Sequence, residues 1–340
     1  MAEKTDRRCF LARGIVGAAA VGAAYASVEE KTLRAAIDEG ATERKPKTDI
    51  APGSLTCGKI GNVSMSRLLI GGNLIGGWAH SRDLMYASEL FKSYNTEAKV
   101  FETLDLAMEC GVNTIQLDPK CWPVVTKYNQ SRTNKIQTMV CVPLREDRAA
   151  MQEEIKQQID LGATLIYSHG GVTDSHMMNG GKMDVIAQMV ELIKAQGVPA
   201  GVGGHSLNMP KACEEHKVNA DFYVKTFHMD RYWSATPKDN RREYDWMRGN
   251  ASDHNANNDA MWCNNPEETA AFMETVEKPW VAFKVMAAGA IPPRFAFPFA
   301  FRGGADFVIA GMFDFQVEAD VKLAIESIRK ASDRPRPWRA

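Results

Sequence analysis

The sequence lacks the short motifs that mark common metal and nucleotide sites. Its seven cysteines include no CxxC pair, and its seven histidines form no HxH or HExxH pattern. The glycine-rich run at 71–77, GGNLIGG, does not have the spacing of a dinucleotide fingerprint and is not followed at once by a helical pattern. No motif therefore identifies the chemistry, and the candidate residues have to be found from strand and helix patterns.

The chain also lacks an excess of charge and a long apolar run. Its 41 basic and 42 acidic residues give a net charge of -1, which gives no reason to expect binding to nucleic acid. No apolar stretch is long and uncharged enough to form a stable membrane span. With 340 residues, 45% of them hydrophobic, the chain is large enough for a full globular core, and neither an internal repeat nor a second domain is visible.

The N-terminus has the three regions of an export signal in order. Residues 5–11, TDRRCFL, precede an apolar, small-residue run at 14–26, and Ala24 and Ala26 offer a cleavage site. The pattern resembles a twin-arginine signal, which implies a folded protein exported to the periplasm or beyond by the twin-arginine translocation machinery. We therefore assign 1–26 to the signal, 27–56 to a tether and 57–340 to one domain, with no stable membrane span after cleavage.

Cysteine pairing stays open at this stage. Cys9 leaves with the signal, and an exported protein can form disulfides among the rest. Cys110 and Cys141 lie in apolar helix and strand contexts and are interpreted as small core residues.

Strand-like and helix-like segments alternate along the mature chain. Eight segments have a strand pattern, at 68–72, 112–117, 136–142, 164–168, 200–204, 222–226, 281–285 and 307–311. Helical patterns lie between them, the weakest at 124–131. This alternation predicts an α/β fold of the (β/α)₈ TIM barrel type, with a doubly wound open sheet as the alternative.

One connection, 229–266, is too long for a regular barrel. It holds Tyr232, Trp233, Tyr244, Trp246 and Trp262. So many aromatic residues argue against disorder, and we predict a lid-like insertion after the sixth strand. The acidic and amide residues near His254 alternate as in some calcium loops, but no EF-hand spacing follows, so a solvated loop is the preferred interpretation.

Two of the strand segments carry a lysine near the carboxyl end. Side chains alternate along a strand, and we predict that the apolar ones point to the outer, helix-facing side: Phe222, Val224, Val281 and Phe283. Lys225 and Lys284 then point into the barrel. A buried lysine is costly unless it has a partner or a chemical role, although each lysine could simply pair with a buried carboxylate.

Barrel enzymes build their active sites at the carboxyl ends of the strands. Polar residues at these ends are expected to converge on one cavity: Asn73, Gln116, Asp118, His169, His205, Lys225, His228 and Lys284. Clustered cations suit a substrate with carboxylate, phosphate or enediolate character, and a desolvated lysine can act as a base or a Schiff-base nucleophile. A divalent metal held by Asp118 and the three histidines remains an alternative.

From residue 63 onward the chain resembles the aldo/keto reductase superfamily. The similar stretches are 63–72 (first strand), 103–113 (helix and turn before the second), 165–169 (fourth strand with its active-site histidine), 200–206 (fifth), and 282–289 with 305–312 (last two). The resemblance implies a TIM barrel and makes NAD(P) a candidate cofactor, with Gly289, Gly311 and Met312 at its site.

The catalytic tetrad of that family, Asp, Tyr, Lys and His, is not retained. Only His169 corresponds, because Gln116 stands at the aspartate position, Cys121 lies near the tyrosine position and the third strand ends without lysine. Phe313 and Asp314 replace the cationic residue expected for the NADP 2′-phosphate. The resemblance therefore implies the family's scaffold with altered chemistry.

We expect an exported barrel enzyme that acts on a small polar substrate, a carbohydrate or an oxidised sugar, with NAD(P)-linked oxidation or reduction as one form. His169, Lys225, Lys284, Asp118 and His205 are the candidate catalytic residues. The candidate substrate-binding residues are Asn73, Gln116, His228, Asp230, Tyr232 and Trp233. The alternatives are a non-redox or metal-assisted sugar lyase, epimerase or hydratase, and a sugar-binding barrel without catalysis.

Overall fold

The computed structural model describes residues 48–80, 86–247 and 261–340. The predicted signal peptide, most of the predicted tether and the run around His254 lie outside the described residues. The compact unit begins at Thr48. Ile50 and Leu55 are buried in its core, so the end of the predicted tether packs onto the barrel.

Eight parallel strands close into a barrel, in the order β10-β3-β4-β5-β6-β7-β8-β9. They are β3 (Leu68–Gly71), β4 (Thr114–Leu117), β5 (Gln137–Val142), β6 (Leu165–Ser168), β7 (Ala200–Gly204), β8 (Phe222–Thr226), β9 (Trp280–Phe283) and β10 (Phe307–Ala310). An antiparallel hairpin of β1 (Cys57–Ile60) and β2 (Val63–Ser66) precedes them. The structure confirms the predicted (β/α)₈ barrel and a strand in each of the eight predicted segments.

The helices of the described chain alternate with these strands. They are α1 (Asn73–Gly76), α2 (Ala87–Tyr94), α3 (Glu97–Glu109), α4 (Trp122–Gln130), α5 (Arg148–Asp160), α6 (Gly170–Met178), α7 (Met183–Lys194), α8 (Asn208–Glu215), α9 (Pro266–Thr275), α10 (Pro293–Arg302) and α11 (Asp314–Arg329). Their starts follow local chemistry: the Asp147 carboxylate accepts from two amides of the first turn of α5, and prolines begin α9 and α10. None of the helices in these ranges is long and apolar enough to cross a membrane.

The strands separate two apolar layers, and this corrects the predicted side-chain directions. Phe222, Val224 and Val281 belong to the cluster inside the barrel, with Phe283 packed against it. Tyr223 and Ala282 belong to the layer under the helices. Both faces of a barrel strand are apolar because the interior is packed with side chains, so apolarity alone could not tell one face from the other.

Lys225 therefore points to the outer, helix-facing side of the barrel. It stands two residues after Tyr223 in β8, so the two side chains point to the same face of the strand. The Tyr223 hydroxyl donates to Glu214 in α8 at 2.6 Å. In β4, Ile115 and Leu117 lie in the helix-facing layer, so Gln116 between them faces the barrel interior.

Candidate functional site

Three polar side chains from β5 and from the carboxyl ends of β4 and β6 lie close together at the barrel mouth. Asp118, Cys141 and His169 place their ligand-type atoms within 4.8 Å of one another. Gln116 contacts the buried Cys141 thiol, Nε2 to Sγ at 3.9 Å. Burial raises the pKa of that thiol well above its usual value, so it is protonated at neutral pH.

The tautomer of His169 limits what this group can bind. His169 precedes α6, and its Nδ1 accepts from the Val172 amide at 3.3 Å. Burial lowers the pKa of the ring, so in the neutral form Nε2 carries the proton. A metal at Nε2 would have to displace that proton and disturb the Val172 contact, whereas metal-bound histidines normally donate their other nitrogen. The arrangement suits His169 as a hydrogen-bond donor to a substrate oxygen.

His205, at the end of β7, forms a buried pair with Asp174 of α6. Its Nδ1 lies 2.7 Å from Asp174 Oδ2, and Asp174 also accepts from the amides of His205 and Ser206. Burial opposes ionisation of Asp174, but these hydrogen bonds and that from Trp246 Nε1 at 2.9 Å hold its pKa below the usual value. The Asp174 carboxylate therefore fixes His205 as the Nδ1–H tautomer, with a lone pair on Nε2.

The pKa of His205 is lowered to about 4, because burial outweighs the favourable field of Asp174. The ring is therefore neutral at neutral pH. It packs against Phe283 and Trp246, with centroids 5.1 and 6.0 Å away. A neutral imidazole oriented by a buried carboxylate has the form of a general base.

Lys225 is a buried cation held only by neutral oxygens. Its side chain is 1% exposed, and Nζ donates to the carbonyl oxygen and the hydroxyl of Thr226 at 2.7 and 3.1 Å. Burial lowers its pKa. The predicted alternative of a simple buried ion pair does not apply, since no carboxylate of the described chain lies within ion-pair distance of Nζ.

Lys284 lies at the barrel mouth, as predicted, but the alternation of side chains along a strand does not place it there. β9 ends at Phe283, and Lys284 has a φ of 54°, a left-handed conformation that strains a non-glycine residue. Its Nζ lies 4.2 Å from the ring centroid of Trp262, and its charge lowers the pKa values of His169 and His205. Such strain is typical of functional sites.

A cavity of about 230 Å³ opens on the outer side of β8, beneath the long connection. Its lining includes His205, Lys225, Glu243, Trp246 and Trp262. The candidate site thus has two parts: an axial part around Asp118 and His169, and this lateral cavity. His205 borders both, because its ring contacts the inward-facing Phe283 as well as lining the cavity.

The other predicted substrate-binding residues are more dispersed. His228 is 1% exposed, and both ring nitrogens are engaged: Nδ1 with the Met229 carbonyl, and Nε2 with the amides of Trp262 and Cys263. It holds the end of the long connection against β8 and leaves no ring nitrogen for a substrate.

Asp230 is paired with Arg241 at 2.7 Å and borders a second cavity of about 200 Å³. The Tyr232 hydroxyl contacts Met261, and Trp233 is 84% exposed. Asn73 begins α1, and its amide meets His80 at 2.8 Å. Asn73 and His228 each stand two residues after the end of a barrel strand, and Asp230, Tyr232 and Trp233 lie farther along the chain.

The two residues that stand in place of the expected cation, Phe313 and Asp314, do not fit the 2′-phosphate of NADP. Asp314 begins α11 and is already bonded to the Tyr94 hydroxyl at 2.6 Å and to Lys99 at 3.1 Å. Phe313 packs against Phe91 and Tyr94. A phosphate there would meet a carboxylate and an aromatic cluster instead of an arginine.

The residues predicted to bind the cofactor come after β9 (Gly289) and directly after β10 (Gly311 and Met312). Gly289 is an exposed turn residue with a φ of 93°. Gly311 follows β10, where an added Cβ would lie 3.2 Å from Leu74, and Met312 is buried. Leu74 therefore covers the space beside Gly311 that a close backbone approach to a cofactor would use.

Asp174, Trp246, Trp262 and Glu243 complete the site and were not predicted as site residues. The two tryptophans were visible only as part of the aromatic content of the long connection. An acidic residue in the helix that follows an active-site strand was the available signal for Asp174, because α6 starts beside His169.

Comparisons with known proteins give information about the fold but not about the activity. No protein-family model and no curated protein matches the sequence. Two solved structures, both described as a putative aldo-keto reductase from Pseudomonas aeruginosa, have a TM-score of 0.53. They share 14% and 13% identity, and the matches cover 80% and 83% of this chain and 95% and 98% of theirs.

A mandelate oxidase structure has a TM-score of 0.48 at 13% identity, covering 85% of this chain and 80% of its own. Identity at these levels leaves the catalytic residues undetermined. The chain has the barrel fold of the two reductase-like structures.

Proposed function

We propose that the protein is an exported barrel enzyme that moves a proton on a small polar substrate, a carbohydrate or an oxidised sugar. The observation that carries this proposal is the buried His205–Asp174 pair at 2.7 Å, beside a cavity that both His205 and Lys225 line. A general base beside a cation suits abstraction of a proton next to a carbonyl group. Epimerases, lyases and hydratases share this step.

The roles follow from the protonation states. His205 Nε2 accepts the proton, and the Asp174 carboxylate stabilises the imidazolium that forms. Lys225 donates to the oxygen on which negative charge develops, and His169 and Lys284 lie at the axial part of the mouth. The long connection limits the access of water through Trp246 and Trp262.

Proton exchange into D₂O tests the proposal. The purified protein is incubated in D₂O with a panel of ketoses and keto-sugars, and loss of C–H signals is followed by NMR. We expect exchange with at least one member, and a His205→Gln variant slower by about 10²-fold or more. His216→Gln, a change at an exposed histidine of α8's end, is the matched control and should exchange like the wild type.

A nicotinamide-linked oxidoreductase is the second candidate, favoured by the fold shared with the reductase-like structures. In the same panel, NAD(P)H consumption without C–H exchange would select this candidate and reject the first. Binding of sugars with neither reaction would select a non-catalytic barrel.

Export rests on the sequence of residues 1–26 alone. An Arg7→Lys, Arg8→Lys double variant should stay in the cytoplasmic fraction of a host with the twin-arginine pathway, while the unaltered chain reaches the periplasm. Equal distribution of the two proteins would reject the export proposal.

A further inference from the structure

The lateral cavity contains two polar groups whose hydrogen-bonding capacity is incomplete. Within the described part of the chain, Lys225 Nζ uses two of its three donors, both on Thr226. Glu243 Oε1 is buried and has no hydrogen-bond partner among the described residues. Both residues line the cavity. Leaving a buried polar atom without a partner is unfavourable, so a ligand that bonds both groups recovers that free energy.

The ligand has to accept from one group and donate to the other. An ammonium only donates, and an ionised carboxylate only accepts. A hydroxyl group does both, so a hydroxyl or an adjacent pair of hydroxyls satisfies Lys225 and Glu243 together. A phosphate or carboxylate would satisfy Lys225 but would face the Glu243 carboxylate.

The charges around the cavity balance. Lys211 is paired with Glu268 at 2.6 Å, and the lining also holds one further basic residue, Lys225, and one further acidic residue, Glu243. His205 is neutral at neutral pH because burial lowers its pKa to about 4. The lining therefore offers no excess of positive charge to an anionic ligand.

The remaining walls suit a small ring. Trp246 and Trp262 supply apolar faces, and Asn208, Asn264 and Asn265 supply amides that donate and accept. The volume of about 230 Å³ is below the range of roughly 300–1,000 Å³ usual for drug-sized ligands. One hydroxylated ring fits such a space better than an oligosaccharide or a nucleotide.

We infer that the lateral cavity binds a neutral, polyhydroxylated ring of monosaccharide size, with hydroxyl groups bridging Lys225 and Glu243. This rests on the proposed function, for which it names the substrate class as a neutral sugar and not a sugar acid. The bridge makes Lys225 and Glu243 the residues that determine specificity.

Paired probes test the inference by isothermal calorimetry and tryptophan fluorescence. The neutral sugars D-glucose, D-galactose and D-mannose are each compared with their uronic acid, at pH 7.5. We expect at least one neutral sugar to bind about tenfold or more tightly than its uronate. Glu243→Gln removes the negative charge of the acceptor, and Lys225→Met removes the donor. Each should weaken that binding by about tenfold, as expected when a buried hydrogen bond to a charged group is weakened or lost.

Glu267→Gln is the matched control, since Glu267 is exposed and lines the second cavity but is not among the described residues that line the lateral one; it should bind like the wild type. If Lys225→Met does not fold, Glu243→Gln alone decides. Tighter binding of the uronate, unchanged affinity in Glu243→Gln, or no binding of any neutral sugar would each overturn the inference.

Binding and turnover separate the two proposals. Neutral-sugar binding that depends on Glu243, without proton exchange in any substrate, keeps the inference and rejects the proposed function. Exchange in a substrate that the bound neutral sugar does not displace keeps the function and overturns the inference.

Discussion

At the scale of single residues, the protonation state of His205 is the property on which the proposed chemistry depends. Burial lowers its pKa to about 4, so the folded ring stays neutral where an exposed histidine becomes charged. We expect the ¹³Cε1 resonance of His205, assigned with His205→Gln, to stay constant from pH 7.5 to 5. In urea-unfolded protein the same residue should titrate near 6.5. A folded-state midpoint near 6.5 would contradict a desolvated base.

The same shift affects stability with a definite sign. Below pH 6.5 the unfolded chain binds a proton at this histidine that the folded chain does not bind. The contribution of His205 to the free energy of unfolding therefore falls as the pH is lowered from about 6.5 toward 4.

Asp320 gives a second prediction at this scale, with the opposite dependence on pH. Its side chain is 4% exposed, Oδ2 has no partner among the described residues, and burial raises its pKa to about 6. The folded chain thus holds a proton between pH 4 and 6 that the unfolded chain releases, so stability falls as the pH rises through this window.

Asp320→Asn removes the unfavourable free energy of burying an ionised carboxylate. We expect the variant to be more stable than the wild type by about 2 kcal/mol at pH 7.5, and by much less near pH 4, in urea unfolding experiments. Asp333→Asn, at an exposed position, should change stability by less than about 0.5 kcal/mol at either pH. A destabilised Asp320→Asn protein at pH 7.5 would show that the carboxylate has a stabilising partner.

At the scale of elements, a tryptophan of the long connection after β8 is hydrogen-bonded to the buried His205–Asp174 pair. Trp246 Nε1 donates to Asp174 at 2.9 Å, and its ring lines the cavity. Trp246→Phe keeps most of the apolar surface and removes the donor. The Asp174 carboxylate keeps three other hydrogen bonds, so the fold should persist while the connection loosens.

We expect Trp246→Phe to weaken binding of the tightest neutral sugar by about 5- to 10-fold, as for loss of a hydrogen bond to a charged group. Hydrogen exchange of residues 241–247 should become faster in the same variant. Trp233→Phe, at a residue that is 84% exposed, provides the control. Equal effects of the two substitutions would contradict a specific tie between Trp246 and Asp174.

Strand positions were predictable from the sequence, but strand faces were not. All eight barrel strands fall in segments of β-branched and apolar residues between helical patterns. The face of β8 was predicted wrongly because Phe222 and Val224 fill the barrel interior, which is as apolar as the layer under the helices. Lys284 reached the predicted mouth through a left-handed turn that no alternation rule describes.

The site was predicted in part for a related reason. His169, His205 and Asp118 follow strands directly, so strand ends located them. Asp174 and Trp246 reach the site from a helix and from a long connection. Their positions depend on tertiary packing, which has no periodic signal in the sequence.

At the scale of the whole molecule, the carboxyl-terminal residues fasten the amino-terminal end of the barrel. The buried Asp306 carboxylate bonds Arg334 at 3.0 Å and Arg336 at 2.6 Å. It also accepts from the amides of Trp280 at the start of β9 and of Arg339. Arg67 extends this network through the Asp306 and Ala340 carbonyl oxygens. One carboxylate thus joins two strands to the last ten residues, a polar, proline-containing stretch without a helical or strand period.

Asp306→Asn should therefore destabilise the entire barrel. Asp306 is 0% exposed in its side chain, and both arginines are 1% exposed. Removing the carboxylate charge leaves two guanidinium groups buried without an anion, a change that costs about 3–5 kcal/mol in comparable buried pairs. We expect a loss of this size in urea unfolding at pH 7.5, with β9, β10 and residues 331–340 losing hydrogen-exchange protection together.

Glu326→Gln breaks the exposed pair between Glu326 and Lys330 in the same region of sequence and should change the free energy of unfolding little, because water screens an exposed pair. An equally small loss in Asp306→Asn would mean that the backbone carbonyls around Arg334 and Arg336 already satisfy the two cations. In that case residues 331–340 would be held by their packing, and the stability of the barrel would not depend on the Asp306 carboxylate.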